Sequence, residues 1–348
     1  MNPYVLVTLL SSLGLGTTLT FASSHWLLAW MGLEINTLAI VPLMAQHHHP
    51  RAVEATTKYF LTQATAAAVI LFASTTNAWA TGEWSMTNMS DPLASAMILA
   101  ALALKIGLAP MHFWMPEVLQ GLDLLTGLIL STWQKLAPLA LLIQTAQAFD
   151  PLLLTTLGLM STLIGGWGGL NQTQLRKVLA YSSIAHMGWM IIVLQYAPQL
   201  TLLALLTYIL MTSAAFLTLK LSHATNVNTL ATVWSKSPVL TATAALVLLS
   251  LGGLPPLTGF MPKWLILQEL TKQSLPLTAT VMALAALISL YFYLRLCYAM
   301  TLTISPNTTT STTPWRTQTT QASVPLALFT VMALGLLPVT PTIMMLVI

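Results

Sequence analysis

Charge is scarce in this sequence: only 6% of its 348 residues are Asp, Glu, Lys or Arg, against about 25% in an ordinary soluble domain. That shortage excludes a soluble fold with a solvated surface. There is one cysteine, Cys297, which excludes internal disulfides and cysteine-ligated clusters. Twelve Lys and Arg against eight Asp and Glu give a net +4, too few charges to argue for a nucleic-acid partner. No GxGxxG or Walker pattern marks a nucleotide site. Nor is a cleavable signal or an Arg-rich transit peptide recognisable, because Met1 leads straight into an apolar run. The expectation is synthesis in, or direct insertion into, its own membrane.

What the sequence has instead is apolar length. Hydrophobic residues make up 56% of it and its mean hydropathy is +0.79. Runs of about 20 residues, enough to cross a bilayer, recur at 4–22, 26–45, 59–78, 93–113, 124–146, 151–170, 178–196, 200–221, 238–260, 276–300 and 323–346. The expected fold is all-α: a polytopic membrane protein of eleven transmembrane helices forming one domain over 1–348. Residues 261–272 are too short to span and read as the second half of a broken ninth helix. The Thr- and Pro-rich stretch 303–323 reads as a solvated loop. No internal repeat stands out.

Eleven spans put the termini on opposite sides. The N-terminal side then holds Arg51, Lys58, Arg176, Lys177, Lys220, Lys236, Arg295 and Arg316, and the other side holds Lys272 alone beside Glu83, Asp91, Asp150 and Glu269. Such segregation follows the positive-inside rule and places the N-terminus in the cytoplasm or the mitochondrial matrix. A miscount by one helix would scramble it.

Four ionisable residues remain within the spans: Glu34, Lys105, Lys135 and Lys263. An ammonium at the centre of a bilayer costs at least about 3 kcal/mol, so these groups face a protein interior or a wet path. A proton relay needs such a set, a carboxylate and amines in low dielectric whose protonation is tuned by burial and by each other. A single carboxylate such as Glu34 also serves as a hydrogen-bonded packing group. Four on four helices favour the relay.

Helix-breaking residues accompany each lysine. Gly107 and Pro110 follow Lys105, and Pro138 follows Lys135. Pro255, Pro256 and Pro262, with three glycines, precede Lys263. Proline removes the donor to the carbonyl four residues back, here those of Ile106 and Gln134. Broken backbone at membrane depth is tolerated only inside protein or beside water. The expected discontinuities are around 105–112 and 252–263.

His112 and His186 lie near these lysines and either pass protons or sit as satisfied polar groups. His47, His48 and His49 read as a solvated loop rather than a metal site, for lack of further ligands. Asn171, Gln172, Gln174, Tyr181, Ser182 and Ser183 either order water between spans or hydrogen-bond helices together. The glycines of Gly165-Gly-Trp-Gly-Gly169 read as a close helix contact.

The run Asn171-Gln-Thr-Gln-Leu-Arg-Lys-Val-Leu-Ala-Tyr-Ser-Ser-Ile-Ala-His186-Met-Gly resembles the central motif of the antiporter-like subunits of respiratory complex I and of the related cation/proton antiporters. Lys105-Ile-Gly-Leu-Ala-Pro-Met-His-Phe-Trp-Met-Pro-Glu117 and Gly-Leu-Pro-Pro-Leu-Thr-Gly-Phe-Met-Pro-Lys263-Trp resemble two further signatures, and the likeness runs the length of the chain. It implies the antiporter-like fold without the first three of fourteen helices, as in animal complex I. It implies that Glu34 pairs with Lys105 on the first broken helix. Lys135 takes the place of the central-axis lysine, Lys263 that of the second broken helix, and His112 and His186 bridge through water.

The resemblance further implies proton translocation coupled to electron transfer from NADH to ubiquinone, as a subunit without catalytic activity or catalytic residues of its own. No redox cofactor or metal is expected on this chain, with NADH, flavin, iron–sulfur clusters and ubiquinone held elsewhere in the complex. Implied partners are neighbouring antiporter-like and small polytopic membrane-arm subunits and lipids such as cardiolipin, but no nucleic acid. The implied location is the mitochondrial inner membrane, N-terminus in the matrix and C-terminus in the intermembrane space. Competing readings are a cation/proton antiporter without electron transfer, a quinone- or haem-binding redox protein, and a scaffold whose charges no longer act.

Overall fold

The computed structural model describes residues 2–46, 49–89, 91–235, 237–301 and 324–347. The loop expected over 303–323 lies outside them, as do His47, His48, Lys236 and Arg316. Packing divides the chain into two compact units, 1–161 and 162–348.

The first unit contains α1 (Pro3–Ala22), α2 (Trp26–Met44), α3 (Pro50–Thr81), α4 (Pro92–Ile106), α5 (Trp114–Gly121), α6 (Leu124–Ser131), α7 (Trp133–Gln144) and the start of α8 (Pro151–Gly169). The second contains the end of α8, then α9 (Leu175–Val193), α10 (Pro198–Ser222), α11 (Val227–Ala231), α12 (Pro238–Gly252), α13 (Phe260–Lys272), α14 (Pro276–Thr301), α15 (Val324–Gly335) and α16 (Thr340–Val347). Seven helical stretches, α6 and α7 counted as one, are long and apolar enough to cross a membrane; α4, α12 and α15 are shorter apolar helices. With α9, these segments fall one for one on the eleven expected spans.

Proline sets many of the starts. It is the first residue of α1, α3, α4, α8, α10, α12 and α14, where its missing N–H would have had no partner anyway. Side-chain caps from Asn2, His25, His49 and Asp91 add acceptors for the exposed amides of α1 to α4. The cap from His49 and Pro50 at the first position start α3 nine residues before its expected span, so Arg51 and Lys58 lie on the helix rather than in a loop. Lys58 is held there between Glu54 and Glu117, each at 2.8 Å.

Close helix contacts rest on small residues. At the glycine run of α8, a Cβ on Gly165 would stand 2.7 Å from the backbone nitrogen of Ala185 on α9, and one on Gly168 would stand 2.3 Å from the Tyr181 ring. That is the close approach expected of Gly165–Gly169.

The two discontinuities are built alike. Gly107 and Gly253 end α4 and α12 with φ of 84° and 81°, a conformation open to glycine without a Cβ penalty. The N–H of each returns to two carbonyls of the last turn, and the next residue, Leu108 or Leu254, donates to the earlier of the same two, that of Ala103 or Leu249. A cis X–Pro bond follows at Pro110 and Pro256, and the helix restarts at Trp114 and Phe260. Aligned on these positions, Gly107-Leu-Ala-Pro-Met-His-Phe-Trp-Met-Pro-Glu117 and Gly253-Leu-Pro-Pro-Leu-Thr-Gly-Phe-Met-Pro-Lys263 agree at five of eleven residues. An internal repeat is therefore present after all, legible once the shared geometry fixes the register.

Two of the expected breaking prolines act differently. Pro262 lies in the first turn of α13 and helps to begin that helix. Pro138 sits inside α7, and the interruption in that span falls at Thr132 between α6 and α7. The proline ring crowds the carbonyl of Gln134 and leaves it without an N–H, but α7 continues through it to Gln144.

Candidate functional site: a polar cavity between buried lysines

In the first unit, α2, α3, α4 and α7 bring Glu34, Lys105 and Lys135 into one neighbourhood. Lys105 is in the last turn of α4 and Lys135 in the first turn of α7; both are buried. Between them lies a cavity of about 10 Å³, room for about one water molecule. Its walls include Asn36, Tyr59, Gln63 and Gln134 as well as the two lysines. Glu34 lies outside the lining, half-buried on α2, with its carboxylate 2.7 Å from the Thr37 hydroxyl and within Coulombic reach of the Lys105 ammonium.

The hydrogen-bond accounting around the cavity is incomplete. Among the described residues the Lys105 Nζ, both polar atoms of the Asn36 amide and the Gln63 Nε2 are buried without a hydrogen-bond partner. Each such group costs about 1–3 kcal/mol if it stays unsatisfied, and all of them belong to residues lining the same small cavity. Such a concentration of donors and acceptors inside apolar helices suits one bridging water hydrogen-bonded by several groups. The arrangement can relay a proton between the two amines, or hold a positive charge near Glu34.

His112 occupies the turn of the first discontinuity, buried, with Nδ1 3.3 Å from the Pro110 carbonyl and its ring 4.3 Å from that of Phe113. It does not line the cavity. The Trp114 indole donates to the Leu104 carbonyl at 3.0 Å, closing the end of α4 beside Lys105.

In the second unit, Lys263 is buried in the first turn of α13 and donates to the Gly252 carbonyl at 2.8 Å. Four residues after Gly252 stands Pro256, which has no N–H to offer; the ammonium satisfies the carbonyl instead. Ser250 and Thr258 both donate to the Ala333 carbonyl of α15, anchoring the second break. His186 is half-buried on α9, its ring 5.6 Å from Tyr208. Arg295 donates to the carbonyls of Leu170 and Gln172 just beyond α8, tying that end to α14.

The sequence reading missed Asn36, Gln63 and Tyr59. Asn36 stands two residues after Glu34, which was the available signal. Gln63 and Tyr59 carried none beyond being polar atoms in an apolar helix. Among the described residues no group of three or more His, Cys, Asp or Glu side chains is placed to hold a metal ion.

The family described as NADH:quinone oxidoreductase/Mrp antiporter, transmembrane, matches residues 23–289, and NADH dehydrogenase subunit 2 C-terminus matches 290–344. The NADH-ubiquinone oxidoreductase chain 2 of Carassius auratus is 87% identical over 99% of both chains, and that of Danio rerio is 76% identical over 99% of both. Among solved structures, a chain of respiratory complex I from Thermus thermophilus superposes with a TM-score of 0.86 at 30% identity, covering 99% of this chain and 80% of its own. A chain of the Mrp complex from Dietzia shares the fold, with a TM-score of 0.83 at 15% identity over 97% of this chain and 76% of its own. The chain thus belongs to the NADH:quinone oxidoreductase/Mrp antiporter transmembrane family, within its NADH dehydrogenase subunit 2 branch.

Proposed function

We propose that this chain is a proton-translocating membrane-arm subunit of NADH–ubiquinone oxidoreductase in the mitochondrial inner membrane, carrying no redox cofactor of its own. The observation that carries the reading is the cavity between Lys105 and Lys135, whose lining residues carry buried polar atoms without partners. A water held there connects the two amines. A change in the position of Glu34 relative to Lys105 then moves a proton from Lys105 to Lys135. The continuation to Lys263, with His112 and His186 as intermediate stations, rests on the family resemblance. Electron transfer elsewhere in the complex supplies the change of charge that starts the sequence.

The same reading puts the N-terminus on the matrix side, supported by the cationic residues gathered on that face. Neighbouring membrane-arm subunits flank the chain, and the basic side meets anionic lipid headgroups such as those of cardiolipin.

The test is Lys135→Met in the assembled complex, reconstituted into vesicles, with proton uptake measured per NADH oxidised. A lower ratio with uncoupled NADH oxidation retained is the expected result. An unchanged ratio removes Lys135 from the path.

A further inference from the structure

The second unit holds an apolar groove with one cation in it. Two helices form its walls with stripes at helical spacing. From α13 come Phe260, Trp264 and Leu267, and from α14 come Ala283, Ala286 and Leu290. The two alanines leave the room between the helices. Gly252 and Gly253 of the second break also line the space, which measures about 390 Å³, within the range of pockets that bury whole small ligands. It opens to the surface, where Trp264 is 57% exposed.

Lys263 is the cationic side chain of this groove. It is buried, its hydrogen bond goes to the Gly252 carbonyl, and among the described residues no carboxylate forms an ion pair with it. An ammonium has three donors, so donors remain for a ligand. In an apolar wall that leaves a site complementary to one thing: an anionic acceptor attached to a hydrocarbon body. Lys105 differs, since Glu34 stands within Coulombic reach of it.

We propose that this groove binds a long-chain carboxylate, with the carboxylate on the Lys263 ammonium and the alkyl chain between α13 and α14. A charged head sets this ligand apart from bulk lipid tails, which would fill the groove without addressing the lysine. The inference does not depend on proton transfer through the first unit.

The experiment uses the intact complex in its membrane and a palmitic acid carrying a photoactivatable diazirine in its chain. Illumination is expected to label peptides spanning 260–290. Unlabelled palmitate competes, and palmitate methyl ester competes about tenfold more weakly, because its neutral carbonyl accepts a weaker hydrogen bond than a carboxylate does. Ala286→Phe, which fills the groove from the α14 side, abolishes the label while the amount of assembled complex is maintained. Equal competition by the ester overturns the proposal, as does labelling that survives Ala286→Phe in assembled complex. Cross-links from this groove to a neighbouring subunit in place of fatty-acid labelling also overturn it, because a protein side chain then occupies the space.

Discussion

The Lys263 ammonium and the Gly252 carbonyl, 2.8 Å apart, form the bond that joins the two halves of the second broken helix. At the equivalent register of the first break stands Glu117, of opposite charge, which turns instead to Lys58 on α3 at 2.8 Å. One repeated backbone device thus carries an inward cation in one unit and an outward anion in the other. Lys263→Met removes the donor and leaves a backbone carbonyl without a partner. The expected outcome is a destabilised second break, at about 1–3 kcal/mol, and lower proton uptake per NADH. Lys263→Arg is expected to keep the bond and recover much of the stability, measured as assembled complex surviving a thermal ramp.

The cavity amide offers a sharper separation of folding from function. Asn36→Leu removes two buried polar atoms that lack partners, so it is expected to leave the thermal midpoint of the complex unchanged or raised. Proton uptake is expected to fall, because the apolar side chain displaces water from between Lys105 and Lys135. A midpoint that holds with uptake also unchanged would show the amide to be packing alone.

Glu34→Gln keeps the shape and the hydrogen bond to Thr37 but removes the charge that acts on Lys105. Assembly is expected to be normal, with proton uptake per NADH reduced. Glu34→Asp retains the charge and is expected to recover part of the uptake, which a purely structural role would not predict.

Glu117→Gln should be mild. Its side chain is 56% exposed and that of Lys58 44%, and exposed ion pairs contribute little. Lys58 also keeps Glu54 one turn away on the same helix. Assembly and pumping measured side by side with wild type are expected to agree; a large pumping defect would move Glu117 into the proton path.

Gly259→Ala is expected to be the most damaging small change. A Cβ there would lie 1.8 Å from the Ser250 carbonyl, which forces the break apart at a cost of about 1–3 kcal/mol or more. Loss of assembled complex on native gels is the measurement.

Much of this was legible beforehand, and the exceptions have physical causes. Spans showed because lipid-facing and core-facing residues are both apolar, so hydropathy marks them wherever they pack. The breaks at 107 and 253 showed because glycine and proline punctuate backbone directly. The true start of α3 did not, since Arg51, Glu54 and Lys58 look like loop residues until the pairs of Lys58 with Glu54 and Glu117 are visible. Pro138 misled because a proline marks where a hydrogen bond is lost, whereas the interruption appears at Thr132. Asn36 and Gln63 stayed hidden because convergence on one cavity is a property of three dimensions, not of spacing along one helix.

The single carbonyl of Ala333 accepts from both Ser250 and Thr258. Ser250 lies in the last turn of α12 and Thr258 within the second interruption itself, so α15 acts as a splint at a fracture. Sliding that helix along its axis would strip both bonds at once, and a neighbour gripping its outer face would hold a lever on the bend that carries Lys263.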